Sequence, residues 1–348
     1  MRLRLLGRTG LKVSELSLGT MTFGAASGFG ADEAECRRIF DAYLEAGGNF
    51  VDTANIYAGG DSERMLARFV AGRRARLVLA SKFSMTTDAT DPNAGGNTRR
   101  NLRVALDASL QRLGTDYLDL LWVHAWDGHT PAEELLRGLD DAVRAGKVVY
   151  TGLSNAPAWF VARAQTMAEL GAGPRFAALQ IHYNLAERTA ERELIPCARA
   201  LGLAVTAWSP LAGGVLTGKY ADDPAARATQ PGRLTTTGWG RTLLSERNLA
   251  IAAAVREVAA RAGRSPAQVA VRWLLQRPGN VMPILGARSA AQFDELLQAA
   301  RFELDGDALA ALDVATRIDL GYPGALLGGP AGRAMVHGAT AGELDLRD

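Results

Sequence analysis

The feature that most constrains this chain is a rhythm. From residue 14 onward, eight short β-rich apolar runs alternate with longer stretches of helical period. The runs occupy residues 15–18, 49–52, 77–82, 117–124, 148–154, 177–180, 204–208 and 282–285. Between them lie amphipathic segments such as ECRRIFDAYLEAG, RNLRVALDASLQRLG, AEELLRGLDDAVRAG and ERELIPCARALG, whose closing Gly supplies a left-handed cap. Such alternation means repeated βα units around a parallel sheet. Eight units without a long linker predict an α/β fold, a (β/α)8 TIM barrel over residues 1–318 with strands inside and helices outside. An open Rossmann sheet would need GxGxxG straight after its first strand; the chain offers GTMTFG there, and in the later GFGADE Glu33 takes the third Gly's place. Ahead of the first run, RLRLLGRTGLKVS predicts a β-hairpin plugging the N-terminal mouth of the barrel.

Two stretches lack period. Residues 210–246 predict a long loop at the C-terminal face, of the kind used as a lid or clamp. Residues 319–348, with GYPGALLGGPAGRAMVHG, predict a Gly-rich tail without helix or strand, laid over the barrel or partly mobile. A formal charge of +2 is too small for a surface that tracks a phosphate backbone, so nucleic acid is not expected as a partner. Two cysteines, Cys36 and Cys197, build no disulfide framework, which points to a reduced, cytoplasmic home. The N-terminus reads as a mature start, and no window approaches the ~20 apolar residues that cross a bilayer. His124, His129, His182 and His337 stand in no zinc-ligand spacing, so no metal is expected. GGVLTGKY meets GxxxxGK but has Tyr220 where a P-loop needs Ser or Thr. Oligomeric state stays open.

In a barrel of this kind the reacting groups come from the C-terminal strand ends and the loops beyond them. That rule selects Asp52, Tyr57, Lys82 and His124. A phenol with an unperturbed pKa near ~10 is a poor acid at neutral pH, and a neighbouring ammonium makes proton donation easier. Lys82 is placed to do this to Tyr57, with Asp52 as its counter-charge and His124 as the hydrogen-bonding partner of the oxygen that receives the proton. Met21, Phe23, Tyr57, His124 and Trp126 are the candidate substrate wall, an apolar aromatic surface without an Arg or Lys cluster; this favours an uncharged small-molecule carbonyl over a sugar phosphate.

The motifs LGRTGLKVSELSLGT, FVDTANIY, RNLRVALDASLQRLGTDYLDLLWVH, RAGKVVYTGLSN, WSPLAGGVLTGKY and LGARSAAQFDELL, in this order from Leu5 to Ala300, resemble the aldo-keto reductase superfamily. HAWDGHTPAEEL is similar to its bacterial aryl-alcohol dehydrogenase-like branch. The resemblance implies an NADPH-dependent carbonyl reductase with Asp52, Tyr57, Lys82 and His124 as its tetrad. It also implies that Ser154, Asn155 and Gln180 hold the carboxamide and that Trp208 stacks on the nicotinamide ring. Ser209, Leu211, Gly213 and Lys219 would run beside the pyrophosphate, while Gly286, Arg288, Gln292 and Glu295 form the last cofactor loop and helix; Thr20 and Met21 complete the cofactor set with Asp52. Leu296 stands where the family usually has Asn. A cofactor-binding redox sensor resembling potassium-channel β subunits is the alternative, since an intact tetrad does not separate the two.

Overall fold

The structure, a computed structural model, describes residues 1–24, 28, 30–220 and 242–343. Most of the long loop expected at 210–246 therefore lies outside the described residues. A two-stranded antiparallel hairpin, β1 (Leu3–Leu5) and β2 (Lys12–Ser14), precedes the barrel. The barrel strands are β3 (Ser17–Gly19), β4 (Phe50–Asp52), β5 (Val78–Phe83), β6 (Leu118–Val123), β7 (Val148–Ser154), β8 (Phe176–His182), β9 (Ala204–Trp208) and β10 (Val281–Leu285). Among the described residues these eight pair in parallel and in chain order, and β10 closes the ring onto β3.

Local sequence sets the helix ends. The helices Arg99–Leu113 and Leu194–Leu201 stop at Gly114 and Gly202, both left-handed, so the capping glycines act as their sequence indicates. Glu33–Glu45 is held at its start by Asp32, whose side chain accepts from the Glu35 amide. The first strand begins two residues later than the apolar run, because the Glu15 side chain turns inward and accepts from the Arg2 amide at 2.9 Å.

Two packed layers result. Between strands and helices lies the large core, which includes Ile39, Phe40, Leu66, Leu106, Leu135 and Phe293. Inside the ring, Phe50, Val78, Ala80, Leu120, Trp122, Ala204 and Met282 meet Leu6 and Val13 of the hairpin. The hairpin thus plugs the barrel floor. Gly7, at φ +59, is needed there: a Cβ would stand 2.2 Å from the Ala177 carbonyl oxygen.

The tail corrects the sequence expectation. It forms helices at Gly324–Gly328 and Pro330–His337 with a 3-10 turn at Gly338–Gly342. These helices are only five and eight residues long, and Leu327, Met335 and Val336 stay exposed, so no long helical period with a buried face marks them in the sequence. No helix among the described residues is long and apolar enough to cross a membrane.

Candidate active site

The parallel register brings the polar strand ends together. Asp52 on β4 pairs with Ala80 on β5, and Lys82 lies two residues further on the same face. Lys82 in turn pairs with Trp122 on β6, and His124 follows two residues later. Tyr57 heads the tight turn Tyr57–Gly60, in which Ala58, Gly59 and Gly60 all take positive φ and fold the chain back over β4.

Lys82 is 1% exposed and uses all three ammonium protons. Its Nζ donates to Asp52 Oδ2 at 2.5 Å, to the Thr53 carbonyl at 2.8 Å and to Tyr57 Oη at 3.1 Å. Burial works against the charge, but the Asp52 carboxylate and the Tyr57 oxygen outweigh it and hold the Lys82 pKa above its ordinary value. The other Asp52 oxygen, Oδ1, accepts from Gln180 Nε2 at 3.0 Å, a bond that reaches from β8 across the barrel. His124 stands edge-on to Tyr57 at 6.1 Å between ring centroids. Burial, helped by the Lys82 charge, pushes its pKa down to about 3, so the imidazole is neutral at physiological pH. Its Nδ1 is buried without a partner among the described residues.

These groups open onto a cavity of about 620 Å3 at the C-terminal mouth. Fifteen of the residues expected at the site share its wall: Met21, Asp52, Tyr57, His124, Asn155, Gln180, Trp208, Ser209, Leu211, Gly213, Lys219, Gly286, Arg288, Gln292 and Glu295. Leu296, buried on the same helix face as Gln292, joins them. Asn155, at φ +46, donates through Nδ2 to the His124 carbonyl at 2.8 Å and accepts from Trp208 Nε1 at 3.3 Å. Trp208 stacks on His182, its register partner, with ring centroids 4.1 Å apart. Lys219 and Arg288, which also line the cavity, have no acidic partner among the described residues.

Five expected residues do not line that wall: Lys82 is buried against Asp52 and Tyr57, and four others stand away from it, each for a visible reason. Trp126 is drawn outward by aromatic packing, stacking on Phe160 at 4.7 Å and meeting Trp159 edge-on at 5.1 Å. Phe23 packs into the strand–helix core against Phe69. Ser154 is fully buried beside Asn155, from whose amide it accepts. Thr20 is tied below the cavity to the Asp52 carbonyl at 3.2 Å and to Ser62 at 2.8 Å. Wall residues that sequence reasoning missed include Thr22, Met85, Tyr220 and Ile284. Tyr220 and Ile284 lie inside stretches already singled out, WSPLAGGVLTGKY and the run 282–285, whereas Met85 depends on a left-handed Ser84 that no local pattern announces. GGVLTGKY contributes its 3-10 turn, Ala212–Thr217, to the same cavity wall.

Comparison with known proteins agrees with this geometry. A model of the aldo/keto reductase family matches residues 15–317. The chain is 38% identical to an uncharacterized oxidoreductase, YrpG, of Bacillus subtilis, over 88% of this chain and 94% of the relative. It is 36% identical to a norsolorinic acid reductase of Emericella nidulans, over 91% of this chain and 82% of that one. With an aryl-alcohol dehydrogenase of Pestalotiopsis microspora it shares 33%, over 91% and 83% of the two chains. A closed eight-stranded parallel barrel, a family match over most of its length and relatives of this kind together show that the chain is an oxidoreductase belonging to the aldo/keto reductase family.

Proposed function

We propose that the protein is an NADPH-dependent reductase of uncharged aldehydes or ketones, able to run in reverse as an alcohol dehydrogenase. The observation that carries this reading is the buried Asp52–Lys82–Tyr57 chain, 2.5 Å and 3.1 Å long in its two links, ending at a phenol that faces a cavity. The cavity suits an extended dinucleotide. On its wall Asn155 and Gln180 offer amides, the buried Ser209 Oγ has no partner among the described residues, and Lys219 and Arg288 await negative charge.

Such a cofactor, when bound, supplies the hydride for the carbonyl carbon. The remaining work falls to the chain. Tyr57 Oη gives its proton to the carbonyl oxygen, and the Lys82 ammonium stabilises the negative charge left on the phenol oxygen. Asp52 keeps that ammonium charged in a dry wall. His124, neutral down to about pH 3, offers a hydrogen bond that orients the carbonyl without competing as an acid. The reductase and dehydrogenase names of the relatives support the same chemistry.

The test is NADPH oxidation with a panel of aldehydes, ketones and quinones, comparing wild type with Tyr57→Phe. The variant should keep its fold and cofactor binding and lose ~10²–10⁴-fold in turnover. Near wild-type kcat on an activated aldehyde would remove Tyr57 from the acid role. Tight cofactor binding with no carbonyl turned over by wild type would favour a redox sensor.

A further inference from the structure

A second, smaller cavity of about 250 Å3 lies away from the active site, and four of the side chains lining it are guanidiniums: Arg188, Arg192, Arg247 and Arg317. Their partners differ. Arg188 is paired with two carboxylates, holding Glu191 through Nε and Nη2 and Asp313 through Nη1, which also donates to Thr316. The other three have no carboxylate partner among the described residues. Arg192 donates twice to the Asp319 carbonyl oxygen, at 3.0 and 2.9 Å. Arg247 donates to the Ala186 carbonyl at 2.8 Å and to Asn248 Oδ1 at 3.3 Å. Arg317 makes no side-chain hydrogen bond or ion pair among the described residues.

Two carboxylates, Glu187 and Asp319, also line the cavity; each keeps its charge, with one oxygen engaged by a backbone amide. Glu187 Oε1 accepts from the Thr189 amide at 2.8 Å and from its hydroxyl, while Asp319 Oδ1 accepts from the Gly321 amide at 2.8 Å. Arg247 adds an unusual cost, because it sits in the first turn of the helix Glu246–Ala262, where the positive end of the helix dipole disfavours a cation. A bound anion would relieve that repulsion.

We propose that this arginine-lined cavity is an anion-binding site for a phosphate group, read chiefly by Arg247 and Arg317. Planar guanidinium forks match phosphate oxygens, and such charge-assisted bonds are roughly twice as strong as neutral ones. The cavity is smaller than the ~300–1,000 Å3 usual for drug-sized ligands, so it takes one anionic group rather than a whole cofactor. The site is independent of the reductase reading, since it shares no lining residue with the larger cavity. It is nevertheless joined to it: Asn184 Oδ1 accepts from the Ala186 and Glu187 amides, while its Nδ2 donates to the Ser209 carbonyl at 2.9 Å.

Isothermal titration with inorganic phosphate, and separately with glycerol 3-phosphate, at constant ionic strength tests this. Arg288→Ala with Lys219→Gln serves as the background, because these are the basic groups of the larger cavity. In that background one phosphate should still bind per chain, and adding Arg247→Gln with Arg317→Gln should weaken it by ~10-fold or more. Tighter binding of glycerol 3-phosphate than of inorganic phosphate would identify a phosphate monoester as the ligand; the reverse order would identify the free ion. Either order upholds the site. Phosphate affinity unchanged by the double substitution, or equalled by chloride, would overturn it. Circular dichroism of each variant establishes that the fold is retained, and Arg247→Lys with Arg317→Lys should restore part of the affinity if the effect is charge at this place.

Discussion

Asp52→Asn isolates the electrostatics on which the candidate site rests. The substitution keeps volume and removes only the charge facing a lysine whose side chain is 0% exposed. An amide at this place can still accept from Gln180, but it then turns its own NH2 toward an ammonium 2.5 Å away. Breaking a buried pair by removing one partner costs ~3–5 kcal/mol, and the surviving bonds to the Thr53 carbonyl and Tyr57 place the expectation at about 3. With burial, the largest influence, now opposed by Tyr57 alone, Lys82 in the variant should titrate below its unfolded value, so the unfolded chain binds more protons and stability rises with pH toward ~10. In wild type the Lys82 pKa is raised, so its contribution is present below the unfolded value and is lost only as pH rises through the higher folded one. Urea unfolding at pH 7 and pH 9.5 measures both effects. Asp52→Asn should regain part of its deficit at the higher pH, and Asp52→Asn with Lys82→Met should be more stable than Asp52→Asn alone at pH 7. A single variant within 1 kcal/mol of wild type, or a double variant no better than the single, would refute the reasoning (~1 kcal/mol being the scale of an ordinary substitution).

His124 should show no imidazole titration by NMR above pH 5; because it is neutral when folded and protonated below ~6.5 when unfolded, wild type should lose about 1.4 kcal/mol more stability per pH unit between pH 6 and 4 than His124→Gln does. Arg288→Ala should weaken NADPH binding several-fold while leaving NADH nearly unchanged, measured by quenching of Trp fluorescence; equal losses for both would show that Arg288 does not read the 2′-phosphate, and a wild-type preference for NADH would overturn the NADPH assignment. Gly7→Ala should destabilise by ~1–3 kcal/mol, since the added methyl meets backbone rather than a movable side chain and the residue keeps a left-handed conformation, and a melting temperature equal to wild type would remove Gly7 from its role in the plug.

The residues that were legible in sequence are those for which strand geometry alone fixes direction. Asp52, Lys82 and His124 each end an apolar run; period two then aims all three inward. Val148–Ser154 and Ala204–Trp208 have the same limits in the structure as in the apolar pattern. Where direction depends on a partner far away in the chain, the pattern is silent. Trp126 follows His124 by two positions, yet Phe160 and Trp159 on a later helix draw its ring aside. Phe23 lies in a strand-exit loop and is buried by Phe69. Ser154 and Asn155 are neighbours of similar polarity, and only the left-handed turn at Asn155 decides that one faces the cavity and the other the wall. The helical tail escaped notice because its helices are five and eight residues long, too short for a helical period to show.

The cross-barrel bond between Gln180 and Asp52 sets a polarity rule for the cavity. A carboxylate oxygen accepts and cannot donate, so the amide end of Gln180 that meets Asp52 must be its NH2, and the orientation of the whole side chain is chosen by chemistry. Its Oε1 is thereby committed to the opposite side. Whatever group settles against that oxygen has to bring a proton of its own; an ester, an ether or a carboxylate in the same place would face lone pair against lone pair. The carboxylate that keeps Lys82 charged therefore also filters, from four strands away, which functional groups the opposite wall will accept.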